Sequence, residues 1–279
     1  MRANNDMPII ARTLERLARQ TVPFELLILV NESTDGTLEE VKKYTDKIVT
    51  ITKYIPGQVI NRGMENSEGE YVFFLNSDCI PQSDDCLEKL VAGFDDEGVA
   101  AVFGRQVPRP DCWPIYAKDT EDTYGDGSRH QYFRSPFSMA WSGVRRSVWE
   151  GMKFDERLII AEDIDWTYRA RNAGHRVNYV AESAVEHSHN YTLKQFYGRM
   201  RKEGRDDALV FDWTPWERSF LRQTFLPLGR RVLSDWKYCV RHFHPAWLLA
   251  APVFRLTEAV ARRQGFNGGW RERQQDEAG

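Results

Sequence analysis

The sequence predicts an α/β fold, a mostly parallel sheet flanked by helices, with a helical appendage at the C-terminal end. Three features carry that expectation. Short apolar runs at 26–30 (LLILV), 47–51 (KIVTI) and 71–75 (YVFFL) resemble strands covered on both faces. Strand-like runs alternate with stretches of helical spacing, the order of βαβ units. Beyond residue 208, basic residues interleave with aromatic and aliphatic ones as they do on amphipathic helices.

Along the chain, residues 8–20 place Ile9, Ile10, Leu14 and Leu17 near helical period, with Pro8 suited to a first turn. The run ending at Val30 leads into NESTDGT, where Thr37 is placed to cap a helix beginning at Leu38. Residues 58–67 read as a helix and Glu68-Gly69 as a turn, and strand 71–75 ends in Asn76-Ser77-Asp78. A helix over 84–95 and a strand over 99–104 follow. Residues 105–135, rich in Pro, Asp, Gly and Tyr, read as a long loop of the kind compact domains keep for a function. After 138–145 comes a helical turn at 147–150, then a helix to Ala173, opened by Glu162-Asp163 and closed by Gly174. Short strands at 176–180 and 184–187 and a helix capped by Thr192 complete a domain over 1–208, followed by a basic helical region over 209–279.

Composition narrows the function classes. A chain of 279 residues, 42% hydrophobic and 28% charged, is globular and excludes disorder and collagen-like repeats. Its four cysteines lie far apart without a CxxC pair, which argues against zinc clusters and disulfide frameworks and fits a reducing, cytoplasmic setting. A net charge of −3 excludes a generally basic nucleic-acid binder. No apolar run approaches the roughly 20 residues that span a bilayer, and the start lacks a signal-peptide core. The charge is uneven: from Arg199 onward 15 basic residues face 10 acidic ones. Between Arg218 and Arg263 nine basic residues face only Asp235 and Glu258. Helices of this kind can lie on an anionic membrane surface, or pack an apolar face on the main domain with arginines in solvent. Periodicity alone does not separate the two.

Ligands of parallel sheets sit beyond the C-terminal strand ends. NESTDGT and Asn76-Ser77-Asp78 both occupy that edge. Asp78 can offer oxygen to a divalent cation, or satisfy backbone donors of its own turn. His187 and His189 alternate, so an extended strand points both to one side, towards a metal or into hydrogen-bonded core positions. Arg62, Arg105 and Arg109 lie on or near the same edge as anion forks or plain surface charges. Glu162-Asp163 suits a helix start, where the dipole favours acids, and equally suits proton transfer.

Taken in order, LERLARQT, ILVNESTDGT, NRGMENSEGEYVFFLNSDCIP, FGRQVPRPD, FDERLIIAEDIDWTYRARNAGHRV and HSHNYTLKQF resemble the family 2 glycosyltransferases of GT-A (Rossmann-like) fold, most of all bacterial rhamnosyltransferases. The resemblance covers about residues 3–200 and fades beyond 210. It implies an inverting enzyme that moves a sugar from a nucleotide-diphosphate donor to a saccharide or lipid-linked acceptor in bacterial polysaccharide or glycolipid synthesis. Mn2+ or Mg2+ is the implied cofactor. Asp163, beside Glu162, then takes the acceptor proton, while Asp165 faces differently. Asp78 becomes a metal ligand, with His187 or His189 completing the shell. Asn31 or Glu32 stands where the base-contacting aspartate is expected, and Asn76 orients a ribose or a metal-bound water. Asp35, Asn61, Arg62, Arg105 and Trp141 join the donor-side candidates. Trp141 and Trp166 are also natural core residues.

Three departures from the family pattern stand out. The chain opens at MRANND, where the family has a full strand, so an incomplete first strand is expected, through truncation or a start upstream of Met1. The turn after the second strand is one residue short. The metal-binding DxD has become Asn76-Ser77-Asp78, with one carboxylate. These departures keep a non-catalytic binding or scaffold relative in view, which the Glu-Asp pair and His-Ser-His oppose. A sugar nucleotidyltransferase would carry a Gly-rich, Arg/Lys-containing loop after its first strand, and the sequence has none. The expected location is cytoplasmic, with a peripheral place at the inner face of the cell membrane through the C-terminal region left open.

Overall fold

A computed structural model describes residues 1–278. In chain order its main elements are β1 (Arg2–Ala3), α1 (Ile9–Leu17), β2 (Ile28–Val30), α2 (Thr37–Val41), β3 (Ile48–Thr50), α3 (Pro56–Glu65), β4 (Tyr71–Leu75), β5 (Ile80–Pro81) and α4 (Cys86–Ala92). Next come β6 (Val99–Val107), α5 (Pro114–Tyr124), β7 (Trp141–Arg145), α6 (Arg146–Gly151), α7 (Glu162–Asn172), β8 (Arg176–Glu186), α8 (Leu193–Val210), α9 (Leu226–Arg241) and α10 (Trp247–Ala278). The residues group into two compact units. One holds Met1–Arg109, Thr120–Leu158 and Glu162–Ser188; the other holds Pro110–Asp119, Ile159–Ala161 and the chain from His189 onward. The boundary drawn from the sequence at 208/209 falls inside α8.

In the first unit, β1, β2 and β3 form an all-parallel sheet. A second sheet runs β4-β7-β6-β8-β5, with β6 and β8 parallel and the remaining pairs antiparallel. An isolated parallel bridge between Arg2 and Asn76 joins the two sheets. The α/β class and the flanking helices are as the sequence predicts. Leu90, Val102, Cys86 and Trp141 fill one core layer, and Phe103, Phe137, Phe154 and Trp166 fill another. Burial of each large apolar side chain stabilises the fold by about 1.5–3 kcal/mol.

Two expectations change. Residues 105–135 are not one long loop: β6 continues to Val107, and α5 occupies Pro114–Tyr124. The buried residues of α5 bunch in its first turns, at Pro114, Ile115, Tyr116 and Lys118, so no 3.6-residue repeat announces it. The two short strands at 176–180 and 184–187 are a single strand, β8. Its pairing jumps from Gly104–Val180 to Arg105–Ala184, a bulge that absorbs the polar residues between. Ser183 in that bulge is buried because it accepts from Trp141 Nε1 at 2.7 Å and donates to the Cys86 carbonyl at 2.8 Å.

The second unit is helical. Ile115 and Tyr116 pack with Phe196 and Met200 of α8 and with Phe254 of α10. Helices α8 and α10 approach backbone to backbone at Gly204, Gly265 and Gly269. A Cβ on Gly265 would stand 1.9 Å from the Arg201 carbonyl oxygen. Thr192 and Gln195 form the capping box that starts α8. Arg255 is buried and meets Asp119, Asp235 and Glu258 at 2.6–2.9 Å. Lys118 reaches Asp235 at 3.3 Å and Arg231 reaches Asp119 and Glu258, so each charge of this cluster has an opposite partner. Burial alone would raise the Asp119 carboxyl, but Arg231 and Arg255 hold it down, at about 2.

Candidate active site

The parallel strands deliver polar residues to one edge. Asn4 follows β1, Asn31 and Glu32 follow β2, and Asn76-Ser77-Asp78 follows β4. The antiparallel register Leu75–Trp141 brings the residues preceding β7 to the same edge, where Asn76 N–H donates to the Ala140 carbonyl at 3.2 Å. The parallel pair β6 and β8 ends close by, with His187 N–H donating to the Val107 carbonyl at 2.9 Å.

Asp78 and His187 meet there. Asp78 Oδ1 lies 3.7 Å from His187 Nε2, and Asp78 Oδ2 lies 3.4 Å from an Arg109 guanidinium nitrogen that also donates to the Asp78 carbonyl at 2.9 Å. Buried Gln106 sets the imidazole: its Oε1 sits 2.8 Å from His187 Nδ1. With the amide oxygen accepting, the ring proton is on Nδ1 and the Nε2 lone pair points towards Asp78. Cys79 Sγ completes a group whose ligand atoms all lie within 4.8 Å of one another. Burial, helped by Asp78, pushes the Cys79 thiol well above its usual range, so it remains a protonated and weak donor. The carboxylate oxygen suits Mn2+ or Mg2+; the imidazole nitrogen favours Mn2+ of the two, and the remaining positions can be filled by ligand oxygens and water.

Asp163 opens α7 on the same edge. Its Oδ2 accepts from Met139 N–H at 3.1 Å, one residue before the carbonyl that binds Asn76, and its Oδ1 accepts from Ile164 N–H at 2.7 Å. These two backbone bonds fix the carboxylate. Glu162 is buried beside it. Arg2, stacked over Tyr54 at 3.9 Å, donates to Asn31 Oδ1 at 3.5 Å, and Tyr54 also feels the charges of Glu162 and Asp163. Met139 and Ala140, adjacent in the chain, link Asp163 to Asn76.

Other candidates sit elsewhere or are engaged otherwise. Asn61 is buried, and all of its hydrogen bonds go to Phe154, Glu156 and Trp149 at 3.0–3.1 Å; it brackets α3 to the segment after α6 rather than facing a ligand. Trp141 is 1% exposed and packs in the core, so it offers no face to a sugar. Trp166 is buried and stacked on Phe154. Asp35 accepts from Thr37 and from Met7 N–H, tying the chain after β1 to the α2 turn; the Thr37 hydroxyl lowers its carboxyl pKa. Glu32 is exposed and binds Asn4 through its carbonyl. Arg62 is exposed on α3, and Arg105 is exposed on β6 beside Asp126. Asp165 pairs with Arg169 at 2.7 Å. His189 belongs to the second unit, its ring 5.5 Å from that of Tyr191. Gln106 is the addition: it falls in the stretch that the sequence reads as a loop, whereas Arg109 is one of the three arginines already named.

Comparison with known proteins sharpens the assignment. The O-antigen chain rhamnosyltransferase WbaN of Salmonella anatum is 33% identical over 212 residues, covering 71% of this chain and 66% of the relative, so the chain spans slightly under two thirds of that protein. The mannosyltransferase PcManGT of Pyrobaculum calidifontis, solved with GDP-Man and Mn2+, superposes with a TM-score of 0.64 at 16% identity, covering 96% of this chain and 85% of that one. Residues 1–349 of S. aureus TarS, solved with UDP, give a TM-score of 0.52 at 20% identity, covering 99% and 90%. At these identities the two structures speak for the fold alone. Residues 3–149 match the model of glycosyl transferase family 2, and together with the WbaN match this establishes that the chain belongs to that family.

Proposed function

We propose that the protein is an inverting, metal-dependent glycosyltransferase that transfers a sugar, with rhamnose the first candidate, from a nucleotide-diphosphate donor to a saccharide or lipid-linked hydroxyl in bacterial surface polysaccharide or glycolipid synthesis. One observation carries this reading: Asp78, His187 and Asp163 share a single strand edge, beside the asparagines that follow β1 and β2. WbaN supports the sugar, and the Asp78–His187 pair supports the cofactor.

Asp78 and His187 would hold the cation. When bound, it supplies Lewis-acid stabilisation of the diphosphate leaving group. Arg109, on the same aspartate, contributes a second positive charge for that anion. Asn31 and Asn76 present amides at the donor side. Asp163 Oδ takes the proton of the acceptor hydroxyl as that oxygen attacks the anomeric carbon, and its bond from Met139 N–H keeps the carboxylate aimed. The working location is cytoplasmic.

Asp163→Asn tests the assignment. Loss of a general base costs about 10²–10⁴-fold in kcat, while donor affinity measured by calorimetry should stay within twofold. Unchanged turnover would remove Asp163 from the chemistry.

A further inference from the structure

Helices α9 and α10 wear their apolar residues on the outside. Leu226, Leu233 and Val240 recur at i, i+7 and i+14 of α9; Leu249, Val253 and Leu256 recur at i, i+4 and i+7 of α10. Each spacing is one helix face. All six side chains are 46% or more exposed, while the opposite faces hold buried Asp235 and Cys239 in α9 and Phe254, Arg255 and Glu258 in α10. Trp236 Nε1 donates to the Leu248 carbonyl at 2.9 Å, which ties α9 to the first turn of α10.

Charge flanks the stripe. Arg230, Lys237 and Arg241 are exposed next to it on α9. The only carboxylates between Arg218 and Arg263, Asp235 and Glu258, are buried in ion pairs with Arg255. Within that stretch the solvent face is therefore apolar and purely cationic.

The turn between the helices adds an independent sign. Phe243 N–H donates to the Val240 carbonyl at 3.4 Å and His244 N–H to the Cys239 carbonyl at 2.8 Å, the paired bonds of a Schellman C-cap. The residue at the left-handed position is Phe243, with φ 58° and 89% exposure. Glycine fits that conformation without strain. A large aromatic held there, and projected into solvent, costs stability and calls for a partner.

We propose that this face docks on a bilayer carrying anionic phospholipid head groups, with Phe243 and the aliphatic stripe entering the interface and the basic flank meeting the phosphates. No described helix is long and apolar enough to cross a membrane, so the mode is surface attachment. A second copy of the chain fits less well, because a two-fold contact would set the basic flank against itself. The inference deepens the acceptor side of the proposed function and rests on it only in that a lipid-linked acceptor would lie in the same bilayer. A vesicle assay free of donor and acceptor separates failure of one from failure of the other.

The full chain should sediment with vesicles of phosphatidylglycerol and phosphatidylcholine at low salt, and remain in solution at high salt or with phosphatidylcholine alone. Each of Arg230→Gln, Lys237→Gln and Arg241→Gln should weaken partitioning about fivefold, the effect of one basic residue near an anionic surface. Leu233→Glu combined with Val240→Glu should abolish binding with circular dichroism unchanged. Phe243→Gly should weaken binding while its Tm holds or rises. Absence of sedimentation with phosphatidylglycerol vesicles at low salt, or variants that bind like the parent, would overturn the proposal. So would ultracentrifugation showing a dimer that Leu233→Glu with Val240→Glu splits.

Discussion

Gln106 decides what His187 can do. Its amide oxygen against Nδ1 selects the tautomer whose Nε2 faces Asp78, and a partner of this kind governs both ring orientation and ligand basicity. Gln106→Leu should therefore reduce Mn2+ affinity about 10–100-fold, read by electron paramagnetic resonance of free Mn2+. Gln106→Glu, which keeps an acceptor, should restore much of it; equal losses in both would mean that Gln106 only fills space. Asp78, Asp163 and the pair His187 and His189 stood out in the sequence because ionisable residues at strand and helix ends invite a chemical role. Gln106 did not, because a glutamine just beyond the expected strand end gives no hint of its partner 81 residues away. Asn61 and Trp141 mislead for the opposite reason. An amide and an indole that look made for a ligand instead satisfy buried donors and acceptors, and only three-dimensional burial distinguishes the two uses.

Among elements, the long apolar strands and most helices announced themselves, while β5 and α5 did not. β2 and β4 coincide closely with their apolar runs; β2 is buried throughout, and β4 is half-buried up to buried Leu75. α5 escaped because its contacts are made by its first turns. The crossing of α8 and α10 was equally hidden: glycines in a helix read as weak points until a neighbouring backbone is seen against them. Gly265→Ala should destabilise the protein by about 1–3 kcal/mol in urea unfolding, because its methyl would press on the Arg201 carbonyl and overpacking outweighs the roughly 1 kcal/mol of helix propensity gained. Gly268→Ala, three residues along and open to solvent, is the control and should leave stability unchanged or raise it. Equal effects would mean that the close approach has no energetic weight.

For the molecule as a whole, the charge imbalance towards the C-terminal end was plain in the sequence. Which side of the tail helices faced water was not, since an apolar stripe has the same period whether it is covered or bare. Ligand linkage offers a global test of the site. A nucleotide-diphosphate sugar supplied with Mn2+ at 100 times its Kd should add about 2.7 kcal/mol to apparent stability, seen as a rise in Tm that EDTA removes. A rise that survives EDTA would place the donor outside the Asp78–His187 pair. Asn76 also explains how the altered metal motif is compatible with an intact fold. Its N–H holds Ala140, its carbonyl holds Cys79, and its main chain bridges to Arg2 across the seam between the sheets. The architecture therefore draws on nothing beyond the Asn76 Cα: an aspartate and an asparagine are interchangeable there as masonry, and the choice between them is left wholly to chemistry.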